Sequence, residues 1–309
     1  MNTTQSFAGA AAWLGGYFTL WTIALVLLRT IGGFGSGEVI AALVIFGLLF
    51  PALALAVTRR TEPLPCVVRR PGTEIATLLV YLVAIAWLLV SGFGWIGRIA
   101  SEPQHWIVLL AVKLAGFVAI PAALIWAAGH YRIGELAPVS FQRRHLLPAL
   151  WMSLLFLVVQ CFLGNGLRTI QSAHLPAWLI ALAAPLTFAW LVVEAGVVEE
   201  FFFRVLLQQR LTAFLRTPWG GLVVSSLLFG LVHAPGFYLR PAATQEALGP
   251  HPSLLFAVAY SIALTSLAGL AMGILWMRTR NFAVVVLVHA AGDLLPTLAP
   301  WVKAFHLVR

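Results

Sequence analysis

The sequence predicts an all-α, polytopic transmembrane helix bundle of about nine spans, with eight as the other count, and three observations predict it. Of 309 residues, 61% are hydrophobic and only 9% charged, and the mean hydropathy is +0.96. That leaves too little polar surface to coat a water-soluble globule of this size. The apolar residues come in runs of about 20, the length that crosses the hydrocarbon of a bilayer. Most arginines gather between those runs, as they do in short cytoplasmic loops.

The runs fall near 8–28, 39–57, 75–96, 107–128, 146–165, 177–199, 219–239, 254–277 and 282–300. The first follows MNTTQSFAGAAAW, which has no basic leader, so it reads as a retained span rather than a cleaved signal. With the N-terminus cytoplasmic, twelve arginines fall in inner segments, at 59, 60, 69, 70, 132, 143, 144, 204, 210, 216, 278 and 280. Six basic residues (Arg29, Arg98, Arg168, Arg240, Lys303 and Arg309) then fall outside, and that asymmetry predicts the orientation. Trp95, Trp106, Trp219 and Trp301 sit at span ends, as interface anchors do. Arg outnumbers Lys, which occurs only at Lys113 and Lys303, and Ala is abundant, a bias that a GC-rich bacterial genome would produce; the expected location is a bacterial plasma membrane. The net charge of +9 is accounted for by the loops, so nucleic acid is not an expected partner. Cys66 and Cys161 lack metal-ligand spacing and imply no disulfide framework.

The acids are less evenly spread. Glu194, Glu199 and Glu200 fall within seven positions at the end of the sixth run, and Asp293, the sole aspartate, lies inside the ninth. An acid at a helix centre costs about 2.5–3.5 kcal/mol on insertion, so it needs a partner or a task. On a helix, Glu200 and Arg204 share a face at i,i+4 and can pair, while Glu199 points about 100° away from them. The same pattern fits an interfacial helix end whose charges snorkel to water. Phe229 and His233 also stand one turn apart, as do His289 and Asp293. His233 could equally be a packing residue, and the His289–Asp293 pair could satisfy itself. The joint occurrence on three late spans weighs more, because the first five carry only Lys113 within their apolar cores. Buried acids and histidines must face one another or a water-filled cavity.

In order, Glu199-Glu200-x-x-x-Arg204, Phe229-x-x-x-His233 and His289-x-x-x-Asp293 resemble the three motifs of the CAAX protease and bacteriocin-processing (CPBP) family. These are intramembrane glutamic endopeptidases that include the type II CAAX prenyl endopeptidases. The resemblance covers roughly 177–300, which would be the catalytic core, leaving 1–176 as spans of unknown role and 301–309 as a tail. It implies Glu199 as general base, His233 holding and polarising the attacking water, and His289 with Asp293 at the oxyanion. Glu200, Arg204 and Phe229 would brace the site. A carboxylate and fixed donors in a dry cavity suit that chemistry. Two positions depart from the pattern: Val205 stands where many members have Gly, and Asp293 where the prenyl-endopeptidase branch has Asn. An ionised Asp accepts but cannot donate, so Asp293 is either protonated or orients His289.

The expected activity is therefore hydrolysis of a peptide bond near the inner membrane face, with no cofactor, acting on a membrane-associated peptide or protein. A rival uses Glu199, His233, His289 and Asp293 to hold a divalent metal such as zinc. Another makes the chain a non-catalytic immunity protein or a proton-coupled carrier. Beside the site, Lys113 reads as a snorkelling cation near a helix end, or else as the partner of an acid or a functional cation. Glu194, five residues before Glu199, reads as a secondary acid off its face. Gly269-x-x-x-Gly273 reads as a close-packing stripe.

Overall fold

In the computed structural model, residues 3–32, 34–99, 101–162, 164, 166–239 and 252–307 are described. Among them every regular element is helical, with no strand. Among the described residues, eight helices are long and apolar enough to cross a membrane. We number the long helices α1 (Thr3–Gly32), α2 (Gly37–Val57), α3 (Pro71–Ile99), α4 (Gln104–Gly129), α5 (Arg143–Phe162), α6 (Ala177–Leu215), α7 (Pro218–Leu239), α8 (Leu254–Thr279) and α9 (Phe282–Ala304). They correspond one to one with the nine predicted runs; α3, apolar over Pro71–Ala86, is the one outside the eight. The protein is an integral membrane protein. Arg240 and Arg309 lie outside the described residues, as do the side chains of Trp95 and Arg98.

One helix differs from its expected bounds. The sixth run was predicted to stop at 199, but α6 continues to Leu215. Glu199 and Glu200 thus stand in the middle of a helix, not at its end. The run looked finished because Arg204 and Arg210 read as loop charges. Both are buried: Arg204 pairs with Glu200, and Arg210 donates to Glu74 of α3 at 2.8 Å. Neither arginine belongs to the loops from which the orientation was read. Arg216, at φ 54°, closes α6 in the left-handed region, and Pro218 opens α7 at a position where its missing N–H costs nothing.

The chain divides into two compact units. The first comprises residues 1–53, 68–90 and 206–277. Here α1 is tied to α8 by Tyr17, hydrogen-bonded to Ser266 at 2.8 Å, and by Trp21 Nε1, which donates to the Ala263 carbonyl. The Gly269/Gly273 stripe lets α8 approach α7: a Cβ at Gly269 would lie 3.2 Å from the Ser226 carbonyl oxygen and 3.1 Å from the Phe229 ring. The close-packing expectation for that stripe matches this contact.

The second unit comprises residues 54–67, 91–205 and 278–309. Its axis is α9, against which α5 and α6 pack. Asn281 caps α9 by accepting from the Ala283 N–H, and its amide donates to the Ser140 carbonyl at 2.7 Å. Gln160 of α5 donates to the Gly292 carbonyl at 3.1 Å. Trp301 is buried in an apolar cluster with Leu179, Ala183 and Leu298, and stacks on Phe305.

Candidate active site

Two local features of α6 shape the region around the acids. Val192–Val197 and Phe201–Gln208 are π-helical, and the single turn Val198–Glu200 between them is α-helical. π-segments inside α-helices occur often at functional sites. Bonding from i to i+5 places residues five apart one above the other. The first segment therefore stacks Glu194 towards Glu199, where a 3.6-residue period would have put it off that face.

The second feature is Gly196, where α6 meets α9. A Cβ there would lie 2.7 Å from the Val286 carbonyl oxygen, so only glycine permits this approach. His289 follows Val286 by one turn, which places its ring beside the glutamates. Val205, in the position where many CPBP members carry Gly, is buried, and the backbone approach is made at Gly196 instead.

Three of the four expected catalytic side chains meet in this unit. His289 Nδ1 is 2.7 Å from Glu200 Oε1, while Glu200 Oε2 accepts from Arg204 Nε at 3.0 Å. Glu200 and Arg204 are fully buried. On the other edge of the ring, His289 Nε2 faces Asp293 Oδ2 at 3.4 Å and Glu199 Oε2 at 3.7 Å. Glu200 is an acceptor when ionised, so His289 Nδ1 carries a proton and donates it. Nε2 then faces two carboxylates, an arrangement that requires a proton among those three groups.

Asp293 is less enclosed than expected, its side chain 46% exposed against 12% for His289. Its carboxylate stands 3.4 Å from His289 Nε2. Glu199 is 19% exposed and Glu200 sealed, so the two adjacent acids have different access to water.

Lys113 and Glu194 join this group. Lys113 Nζ pairs with Glu194 and interacts electrostatically with Glu199 and Asp293. Of the readings for Lys113, partner of an acid is the one found. A signal was present in the sequence: one cation in the early spans and one acid in α6 without an assigned role.

Phe229 and His233 belong to the other unit. There α7 breaks at Val232–His233 before resuming at Ala234, since Pro235 has no N–H to continue the ladder. His233 Nδ1 donates to the Phe229 carbonyl at 2.7 Å, and the two rings pack with centroids 4.9 Å apart. That bond leaves Nε2 of the neutral ring as the acceptor edge.

A family model matches part of the chain. Residues 180–295 match Type II CAAX prenyl endopeptidase Rce1-like. The Rce1-like segment begins in α6, ends in α9 and contains Glu199, Glu200, Arg204, Phe229, His233, His289 and Asp293; Lys113 lies outside it. The match is consistent with the CPBP resemblance, and because the Rce1-like family is one of membrane-embedded CAAX proteases, it supports peptidase activity. No curated protein and no solved structure matches the chain.

Proposed function

We propose that the protein is an intramembrane glutamic endopeptidase in which Glu199 takes the proton of an attacking water and His289 stabilises the oxyanion. The observation that carries this reading is the two-sided hold on His289. Glu200, braced by Arg204, fixes Nδ1, and this aims Nε2 into the space faced by Glu199 and Asp293.

In the first step the water oxygen bonds to the scissile carbonyl carbon as its proton passes to Glu199. The carbonyl oxygen becomes an oxyanion and accepts from His289 Nε2–H, a fixed donor in a low-dielectric site. In the second step the C–N bond breaks, and the proton held by Glu199 goes to the leaving nitrogen. Asp293 holds the Nε2 proton before substrate arrives and yields it to the stronger acceptor that forms. With His289 protonated, Lys113, Arg204 and His289 supply three positive charges against the four carboxylates Glu194, Glu199, Glu200 and Asp293. The excess negative charge favours a proton within the cluster, and of the two adjacent glutamates Glu199 is the one that water reaches.

For His233 the resemblance implies a part in holding and polarising the water. Phe229 supports it through its carbonyl. The substrate in this reading is a membrane-associated peptide or protein, cut near the inner face of a bacterial plasma membrane, with the N-terminus of the enzyme cytoplasmic. Asp293 separates the site from the prenyl-endopeptidase branch, so a general peptide library is a better probe than a prenylated CAAX peptide alone.

The test is cleavage of a fluorogenic peptide library by the wild type and Glu199→Ala in detergent, with and without chelator. Cleavage that resists chelation and is lost in the variant is the expected result. Chelator-sensitive cleavage would overturn the metal-independent mechanism in favour of a metal held by Glu199, His233, His289 and Asp293. Proton-coupled uptake in proteoliposomes without cleavage would overturn the peptidase reading in favour of a carrier.

A further inference from the structure

Two arginine pairs from distant loops share one end of the second unit, and the hydrolytic steps use neither. Arg59 and Arg60 stand just past the end of α2, while Arg143 and Arg144 open α5. The two stretches are tied together. The Thr61 hydroxyl donates to the Arg144 carbonyl at 3.1 Å, and the Leu64 N–H donates to the Thr279 carbonyl at 3.0 Å. Arg278 reaches the same place, donating to the hydroxyl and the carbonyl of Thr58. Thr58, Thr61 and Thr279 are buried, so the loop after α2 is seated on the helix ends. Above them Arg59, Arg60, Arg143 and Arg144 are all exposed, and no ion pair among the described residues includes any of them. The acceptors of Arg278 are neutral, so its charge is not cancelled either. In the loop, exposed Glu62 is the one carboxylate. Further along, Glu135 is turned to the Arg132 N–H at 2.8 Å. The first turn of α5 adds to the excess, for it holds Arg143 and Arg144 and no acid, although that end of a helix is the positive pole and favours anions. Around the arginines the surface is apolar: Phe141 is 67% exposed, and Val139, Leu146 and Leu147 are exposed as well.

We propose that this surface binds the headgroup of an anionic phospholipid, with Arg59, Arg60, Arg143 and Arg144 on the phosphate and Phe141, Leu146 and Leu147 against the upper acyl chains. The inference does not depend on the hydrolytic reading. One span ends here and another begins, so the guanidinium groups lie where hydrocarbon gives way to headgroups. Their planar forks match phosphate oxygens, and basic side chains beside a span attract anionic lipid. A soluble anion would satisfy the charge but leave Phe141 in water, whereas a lipid covers both. The positive-inside bias asks only that arginines lie on one side of the membrane. Here residues 83 positions apart are hydrogen-bonded onto one spot, which that bias does not require. In the predicted orientation the surface faces the inner leaflet.

The experiment is native mass spectrometry of the full chain in detergent, titrated with phosphatidylglycerol or with phosphatidylcholine of the same acyl chains. It compares the wild type with Arg59→Gln/Arg60→Gln, Arg143→Gln/Arg144→Gln, the fourfold Gln variant, the fourfold Lys variant and Arg168→Gln, an exposed arginine of a predicted outer segment. The wild type is expected to retain phosphatidylglycerol in preference to phosphatidylcholine. Each Gln pair should weaken phosphatidylglycerol binding on the order of tenfold, and the fourfold Gln variant should show no preference. The fourfold Lys variant should keep most of it, and Arg168→Gln all of it. Because the four side chains carry no ion pair, every variant should unfold near the wild-type temperature without lipid. Added phosphatidylglycerol should then raise that temperature least in the fourfold Gln variant; either pair decides the question if the fourfold variant does not fold. Equal retention of the two lipids by the wild type overturns the proposal, as does a preference that survives the Gln substitutions or falls equally in Arg168→Gln. Displacement of the lipid by glycerol phosphate would show a site for free phosphate, and displacement by an acidic peptide alone a site for a protein segment; either overturns the assignment to lipid.

Discussion

Glu199 and Glu200 are adjacent in sequence and opposite in circumstance. Glu200 is sealed between Arg204 and His289, and removing one partner from a buried ion pair leaves the other charge uncompensated at a cost of about 3–5 kcal/mol. Glu200→Gln is therefore expected to lower the thermal unfolding temperature in detergent markedly and to lose activity with it. Glu199→Gln, at a partly exposed side chain, should unfold within a few degrees of the wild type yet cleave nothing. Differential scanning fluorimetry beside the cleavage assay separates them; equal destabilisation by the two substitutions would contradict this division of labour. The sequence distinguished the two acids because Glu200–Arg204 keeps the i,i+4 rule even where the helix turns π. It gave no means of joining Glu194 to Glu199, since a π-segment cannot be read from a 3.6-residue period. The contact between Lys113 and Glu194 spans 81 residues and has no local sequence signature.

At the scale of elements, the meeting of α6 with α9 depends on one missing side chain. A Cβ at Gly196 would lie 2.7 Å from a backbone oxygen of Val286, and backbone cannot swing aside as a side-chain tip can. Gly196→Ala should force the two helices apart, cost about 1–3 kcal/mol as overpacking does, and reduce cleavage further by withdrawing His289 from Glu200. Gly15 of α1 has nothing within 4 Å of the added carbon, so Gly15→Ala should change neither unfolding temperature nor activity. Loss of activity in Gly196→Ala with the unfolding temperature unchanged would point to a role other than packing. The helices themselves were legible as runs of apolar residues, and nine runs became nine helices. The end of α6 was not, because hydropathy counts Arg204 and Arg210 as polar whether or not an acid elsewhere in the chain neutralises them. Glu74 lies 136 residues from Arg210, and only the fold brings them together.

For the molecule as a whole, the motifs crowd into the last 130 or so residues, but each compact unit draws helices from before and after position 177. In the first unit, Tyr17 and Trp21 of α1 supply polar ties to α8, and Glu74 of α3 supplies the carboxylate that Arg210 requires. In the second, α5 covers Gly292 with Phe156 and donates to its carbonyl through Gln160, next to Asp293, and α4 brings Lys113. The first five spans are thus not a separable accessory. A chain beginning at Ala177 would expose Arg210 and Glu194 without their partners in lipid, where each uncompensated charge is costly. Such a fragment is expected to aggregate in detergent and to show no cleavage. Residues 1–176 expressed as a second chain in the same cells should restore a co-purifying, active protein, because membrane helices insert individually and associate afterwards through packing and interhelical polar contacts. Size-exclusion chromatography with the peptide assay reads both outcomes. A monodisperse, active 177–309 fragment would show instead that the early spans contribute nothing to the site, the Lys113–Glu194 pair included.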